Sequence, residues 1–265
     1  VSYSLYRALN ESVKLIWNEN KVWLRSKQKK YSYRYLAWLP SILRRFQNYN
    51  YVKSISVKPS QITEYRICFF PLHLEPEVAL LSYSPEFNNS MELVTWISKS
   101  LPADVILVLK EQALGFGVRS KWYYRQLNKI GNVAWADPDV HSWDWIKESS
   151  AVTTITGTAS IEAIYMKKPV LSFGAHQIIN YLPSVFFANS FQETKKSIHL
   201  IFYDMISNEI LENSMKTLEI AQIESSIDYP KEAYENIYAS NNLDIDNAGK
   251  ALEHLFSEYP HLLKL

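Results

Sequence analysis

Residues 151–174 read AVTTITGTASIEAIYMKKPVLSFG, and the order of elements in this stretch sets the fold class. Ala151 to Thr156 is a β-branched run suited to a strand buried on both faces, and Gly157 allows a tight turn without a side-chain penalty. A helix then opens. Thr158 or Ser160 caps it, Ile161, Ala163, Ile164 and Met166 supply its apolar positions, and Lys167 and Lys168 stand where the negative end of the dipole favours cations. Pro169 stops it, and Val170 to Phe173 resumes a strand before Gly174. The turn and helix start gather backbone N–H groups with the hydroxyls of Thr156, Thr158 and Ser160, a chemistry suited to phosphate. Glu162, one turn further on, is placed to accept hydrogen bonds from a ribose. The plain alternative is an ordinary strand, turn and helix whose glutamate favours the dipole, since a single-glycine turn is no diagnostic phosphate loop.

Upstream the same alternation repeats. Tyr65–Phe70, Asp104–Leu109 and Val133–Trp135 read as strands, with helices expected over Met91–Ser100, Arg119–Ile130 and His141–Ser149. Five strands separated by helices, several of them apolar throughout, predict an α/β, Rossmann-like parallel sheet covered on both faces. Beyond Asn189 the pattern is helical, over about 191–206, 208–224, 230–239 and 245–257. Ahead of the sheet, residues 3–46 show helical spacing and Tyr49–Glu64 reads as a connector. The expected organisation is a basic helical segment and linker over 1–60, then a Rossmann-like domain over 61–265.

Length and composition bound the rest. At 265 residues and 47% hydrophobic content the chain can bury a full core. No apolar run reaches the roughly 18 residues of a spanning helix, and the N-terminus lacks the apolar centre of a signal peptide. Val1 in place of Met predicts an upstream part. The lone Cys68 has no partner for an internal disulfide and reads as a buried thiol of a reducing compartment. Residues 1–60 carry twelve Lys and Arg against two Glu, a formal +10 that leaves −9 for the remainder. Such an arm is read as a contact for something anionic, whether membrane headgroups, an acidic glycan, nucleic acid or the acidic body itself, against the plain reading of a solvated helical face. Nucleic acid is the weaker partner and is not expected.

Ligands of doubly wound sheets bind at the carboxyl ends of the strands, so the residues just after each strand belong together. After the first strand come His73, Glu75 and Glu77, an imidazole and two carboxylates. His73 is a candidate proton carrier or phosphate partner, and Pro76 turns Glu75 and Glu77 to different sides so that one faces the site. Lys110 and Glu111 follow the second strand as an anion anchor and its neighbour. Asp137-Pro138-Asp139 follows the third, where the proline favours a turn over a divalent-metal pair. No Cys or His cluster has zinc spacing, so no metal is expected.

With PLHLEPE, DVILVLKE, WYYRQLNKIGNVAWADP and TGTASIEAIYMKKPVLSFG in that order, the chain resembles the capsule polysaccharide biosynthesis glycosyltransferases of bacterial surface-glycan systems, over about residues 65–190. That family includes transferases of the acidic sugar Kdo. The resemblance implies a GT-B architecture, of which residues 61–265 would be the C-terminal, nucleotide-sugar-binding half, with the acceptor half absent or reduced to the basic helices. It further implies a catalytic neighbourhood at His73, Glu75 and Glu77. Nucleotide-sugar binding would fall to Lys110, Glu111, Thr156, Gly157, Thr158, Ser160 and Glu162. One departure is plain: members commonly read Lys-Glu-His-Pro where this chain has Lys110-Glu111-Gln112-Ala113. That change bears on a cytidine-linked donor and on activity itself.

The expected function is therefore a metal-independent glycosyltransferase of surface or capsular polysaccharide. It would use a CMP- or UDP-linked sugar as substrate, no further cofactor, and a glycan acceptor. The expected place is the cytoplasm, at the inner membrane face through residues 1–60. The alternatives are a non-catalytic glycan- or partner-binding domain of the same fold, or a nucleotide-sugar epimerase or hydrolase.

Overall fold

The computed structural model describes residues 4, 6–14, 17, 39–75, 84–87, 89–175, 177–204 and 206–225. Residues 6–14 are helical, and α1 (Leu39–Ile55) leads into the short strand β1 (Ser56–Val57). The alternating part follows as β2 (Arg66–Pro71), α2 (Ser90–Ser100), β3 (Val105–Lys110), α3 (Gly115–Val118), α4 (Lys121–Leu127), β4 (Val133–Ala136), α5 (Ser142–Glu148), β5 (Ala151–Thr154), α6 (Ala159–Tyr165), β6 (Val170–Ser172) and β7 (Val185–Phe187). Helices α7 (Phe191–Phe202) and α8 (Asn208–Ser225) close the described part. The helices expected over 230–239 and 245–257 lie outside the described residues. The chain divides into two compact units, Val1–Thr217 and Leu218–Leu265; the sheet belongs to the first.

All neighbouring strands pair in parallel, in the order β1-β4-β3-β2-β5-β6-β7. The α/β, Rossmann-like class expected from the alternation is what the chain forms. Burial explains it. Cys68, Phe70 and Leu72 join Leu107, Leu109, Ile155 and Leu171 in one core cluster, while Phe69 on the other face stacks on Trp145 at 6.2 Å. A sheet apolar on both faces must be covered on both, which the crossover helices do.

Side chains and turns place the helices. Asn89 caps α2 by accepting from the Met91 N–H at 3.2 Å, and Ser190 caps α7 through the Glu193 N–H at 3.3 Å. Helix α6 stops earlier than Pro169. The Lys168 N–H bonds Ala163 O and the Lys167 N–H bonds Ile164 O, and Lys167 itself sits at φ 53° in the left-handed region.

Two corrections to the sequence reading concern the sheet edges. The connector expected over 49–64 instead contains the end of α1 and the strand β1, which pairs with β4 through Ser56↔Trp135 and Val57↔Ala136. The stretch beyond β6 adds β7, paired with β6 from Val170↔Val185 to Ser172↔Phe187. Strands of two and three residues carry too little alternation to announce themselves. Among the described residues no helix is long and apolar enough to cross a membrane.

Candidate functional site

The strand order reverses at β2. From β2 the sheet grows through β3 and β4 to one side and through β5, β6 and β7 to the other, so the crevice outside the ends of β2 and β5 is its topological switch point. Two loops meet there, Leu72–Glu75 after β2 and Ile155–Thr158 after β5. The Thr156 N–H donates to His73 Nε2 at 3.2 Å, and the Gly157 N–H donates to Thr154 Oγ1 at 2.9 Å. A Cβ on Gly157 would lie 3.1 Å from Thr154 Oγ1 and 3.2 Å from His73 Nε2, so the absence of a side chain permits the approach. The Ser160 hydroxyl donates to Gly157 O at 2.6 Å, closing the turn from within. On the far side, Gln177 Nε2 donates to Ile155 O and, at 3.1 Å, to Ser172 Oγ, which holds the chain after β6 against the same loop.

His73 is only 5% exposed, and burial, aided by the Arg119 charge, holds its imidazole well below the usual range, at about 4. The ring is neutral at physiological pH. Because Nε2 accepts from Thr156, the proton belongs on Nδ1. His73 Nδ1 is buried without a hydrogen-bond partner, and so is Thr156 Oγ1 on the facing loop. Thr158 is exposed and makes no capping bond. Glu162 is half-buried in the first turn of α6, and no described residue hydrogen-bonds its carboxylate.

The ends of β3 and β4 are arranged differently. Glu111 is fully buried, and Arg119 Nη1 donates to both of its oxygens at 2.7 Å. Tyr124 OH at 3.0 Å and the Gln112 N–H at 2.8 Å complete its shell. Burial pushes the Glu111 carboxyl above its ordinary value, with Arg119 opposing. The other guanidinium nitrogen of Arg119 donates to His73 O at 2.5 Å and meets Glu75 Oε1 at 3.2 Å. Glu75 also accepts from the Ser90 N–H at 3.0 Å, at the start of α2, where the helix dipole favours an anion. Arg119 thus ties the loop after β2 to the loop after β3. A Cβ on Gly115 would overlap Glu111 Oε1, so this glycine makes room for the pair.

Lys110 turns away from the crevice. Its ammonium donates to three carbonyls of the next turn, Val140 O at 2.6 Å, Pro138 O at 3.3 Å and Asp137 O at 3.4 Å. Burial lowers its pKa to about 8, against the pull of Asp137, Asp139 and Asp144. Asp137 and Asp139 enclose the ammonium of Lys53, at 2.5 and 2.9 Å, and Tyr49 OH donates to Asp139 at 2.7 Å.

The structure therefore brings His73, Thr156, Gly157 and Ser160 together, with Thr158 and Glu162 on the adjoining helix start. It commits Glu75, Lys110 and Glu111 to bonds within the protein. Glu77 lies outside the described residues. Arg119, which fixes the His73 loop, and Tyr124, which donates to Glu111, went unread in the sequence. The available signal was a glutamate at the end of an apolar strand, which has to find a cation nearby.

No curated protein sequence matches this chain. Among solved structures, Anabaena HepE in complex with UDP-glucose aligns at 14% identity over 68% of this chain and 53% of its own, with a TM-score of 0.44. The UDP-GlcNAc 2-epimerase of Methanocaldococcus jannaschii, in complex with UDP-GlcNAc and UDP, aligns at 10% identity over 69% and 52%, with a TM-score of 0.42. WaaG, a glycosyltransferase involved in lipopolysaccharide biosynthesis, aligns at 13% identity over 69% and 51%, with a TM-score of 0.39. The chain spans about half the length of the proteins it matches. The model of the capsule polysaccharide biosynthesis protein family matches residues 15–178, more than half of the sequence and all of the strands from β1 to β6, and the chain belongs to that family.

Proposed function

We propose that this chain is the donor-binding part of a metal-independent glycosyltransferase of GT-B type that builds surface or capsular polysaccharide. In this reading it holds a CMP- or UDP-linked sugar at the switch point between β2 and β5. The observation that carries it is the presence of two buried polar atoms without protein partners, His73 Nδ1 and Thr156 Oγ1, on the two loops that face each other there. Buried polar groups are nearly always satisfied, and a pair left open at a switch point is suited to a ligand.

The chemistry assigned to the residues follows from their state. Transfer breaks the bond between the sugar's anomeric carbon and the donor phosphate, forms one to the acceptor oxygen, whose proton passes to solvent or to the departing phosphate, and leaves negative charge on the departing nucleotide. A neutral His73 with its proton on Nδ1 donates a hydrogen bond to that phosphate, and the Thr156 hydroxyl adds another. The unpartnered carboxylate of Glu162 accepts from the ribose hydroxyls. Glu75, paired with Arg119, is assigned to holding the loop and not to taking the acceptor proton.

A second reading, a binding domain without turnover, is favoured by a separate observation. Glu75, Lys110 and Glu111 are committed to internal bonds, and Gln112 and Ala113 replace the family's His-Pro. Calorimetric titration with UDP, CMP and GDP separates the readings when followed by an assay of donor turnover. One nucleotide should bind, and Thr156→Val should weaken it about tenfold, the size of one charge-assisted hydrogen bond. Binding with sugar transfer supports the transferase, and binding without transfer leaves a donor site that has lost turnover. Indifference to all three nucleotides would overturn the transferase reading and favour a domain that binds a glycan or a partner protein instead.

A further inference from the structure

The helical stretch over residues 6–14 is seated the wrong way round for a helix of a globular protein. Its inward side holds Ala8, which joins the core cluster, with Glu11 and Ser12 half-buried. The Ser12 hydroxyl returns to Ala8 O at 2.8 Å, and Glu11 Oε2 accepts from Arg45 Nη1 on α1 at 3.4 Å. The outward side holds Tyr6, Leu9 and Val13, at the three- and four-residue spacing that shares one helix face. Trp17, four residues further, is helical and exposed as well. These four large side chains are between 58% and 79% exposed. Such a helix normally packs its apolar stripe and gives its polar side to water, so a stripe turned outward is left for another surface.

The residues between and beyond the apolar ones say which surface. Asn10 and Lys14 are exposed beside the stripe, and no carboxylate among the described residues of this helix joins them, because Glu11 faces α1. Past Trp17 the sequence runs through Lys21, Arg25, Lys27, Lys29, Lys30 and Arg34 against Glu19 alone. An apolar helical stripe followed by such a run suits the face of an anionic bilayer. The stripe sinks to the boundary between headgroups and acyl chains, and each cation near the surface adds attraction. Tyr6 and Trp17, at the two ends of the stripe, are side chains that settle at headgroup level. Pairing of the stripe with that of a second copy across a two-fold axis would instead bring like charge against like charge.

We infer that this helix docks the protein on an anionic lipid surface, with Tyr6, Leu9, Val13 and Trp17 entering the headgroup boundary and Lys14 meeting the lipid phosphates. The chain then lies on the bilayer instead of crossing it, in keeping with the lack of a spanning helix among the described residues. The inference does not depend on the donor reading, because its residues and its ligand are different.

Sedimenting the full chain with vesicles of phosphatidylcholine alone, and of phosphatidylcholine mixed with phosphatidylglycerol, tests it. Binding to the mixed vesicles is expected, about tenfold tighter than to the neutral ones. Leu9→Gln together with Val13→Gln should weaken it about tenfold, and Lys14→Gln about fivefold. All three positions lie outside the packed side of the helix, so the variants keep the fold. Ile220→Gln, at an exposed apolar position on α8, should leave vesicle binding unchanged. Equal binding to the two vesicles, binding to neither, unchanged affinity in the double variant or in Lys14→Gln, or a like loss in Ile220→Gln overturns the inference. A dimer in sedimentation velocity that the double variant dissolves, without vesicle binding, overturns it in favour of a second copy of the chain.

Discussion

The loops at the switch point and the loops at the ends of β3 and β4 look alike in sequence, since both follow apolar strands and both are rich in polar residues. They differ in how their charged and polar side chains are paired, although Arg119 Nε and Trp135 Nε1, around the ends of β3 and β4, are also buried without a partner. After β3 and β4 every charge considered finds its counterpart: Glu111 with Arg119 and Tyr124, Lys110 with three carbonyls, and Lys53 with Asp137 and Asp139. Between β2 and β5, His73 Nδ1 and Thr156 Oγ1 are buried and left open. A buried polar group with a partner stabilises the fold, whereas one without a partner costs free energy that a ligand can recover. The comparison assigns the first region to architecture and the second to binding, and each assignment can be broken separately.

The largest effect is expected in the first region. Arg119→Met leaves Glu111 fully buried and Glu75 without its ion pair, and breaking a buried pair by removing one partner costs about 3–5 kcal/mol. Urea denaturation should show a loss of that size. A loss below about 1 kcal/mol would mean that the network is not what holds the two loops, and the contrast between the regions would fail.

Next in size is a dependence on pH that belongs to the second region. The His73 ring titrates near 6.5 when unfolded and at about 4 when folded, because burial and Arg119 disfavour its charged form. Between those values the unfolded chain binds more protons, so stability is full above pH 6.5 and falls as the pH drops toward 4. The difference amounts to on the order of 3 kcal/mol. Denaturation curves for the wild type and His73→Gln, taken from pH 7 to 4.5, should diverge in slope, the variant being the flatter. Parallel curves would place His73 in contact with water. At pH 7.5 the same variant should bind its nucleotide about tenfold more weakly while losing little stability, the reverse of Arg119→Met.

Much of this contrast was legible in part. The five strands and the helices between them follow from apolar runs that a buried parallel sheet requires, and the TGTAS turn with His73 follows from the rule that strand ends carry the site. Lys110 reads as an anion anchor because a strand-end lysine commonly is one. What it meets, the carbonyls of residues 137–140, depends on how β3 registers against β4, through Leu109↔Trp135, which a single sequence does not display. Arg119 was out of reach for the same reason. It stands eight residues beyond Glu111, and only the turn of α3 between them brings the two together. The edge strands β1 and β7 are set by pairing with strands already in place more than by their own pattern.

The smallest prediction separates scaffold from site within one helix. At the start of α6, Gly157 is needed because a side chain would crowd Thr154 and His73; at its end the left-handed position is held by Lys167, where glycine would be at ease. Lys167→Gly relieves about 1 kcal/mol of backbone strain. It also gives up the exposed Lys167–Glu212 pair at 2.7 Å, a contact of about 0.5 kcal/mol. A net gain of about 0.5 kcal/mol in urea denaturation is expected, with nucleotide affinity unchanged. The argument turns on the second half of that outcome. The turn at the start of α6 is closed by Thr154, Ser160 and His73, none of which touches Lys167 through a hydrogen bond, so strain released at one end has no bonded route to the other. A shift in affinity without direct contact would show that the helix transmits its C-terminal geometry to the crevice, and that architecture and site are not the separate regions their hydrogen bonds describe.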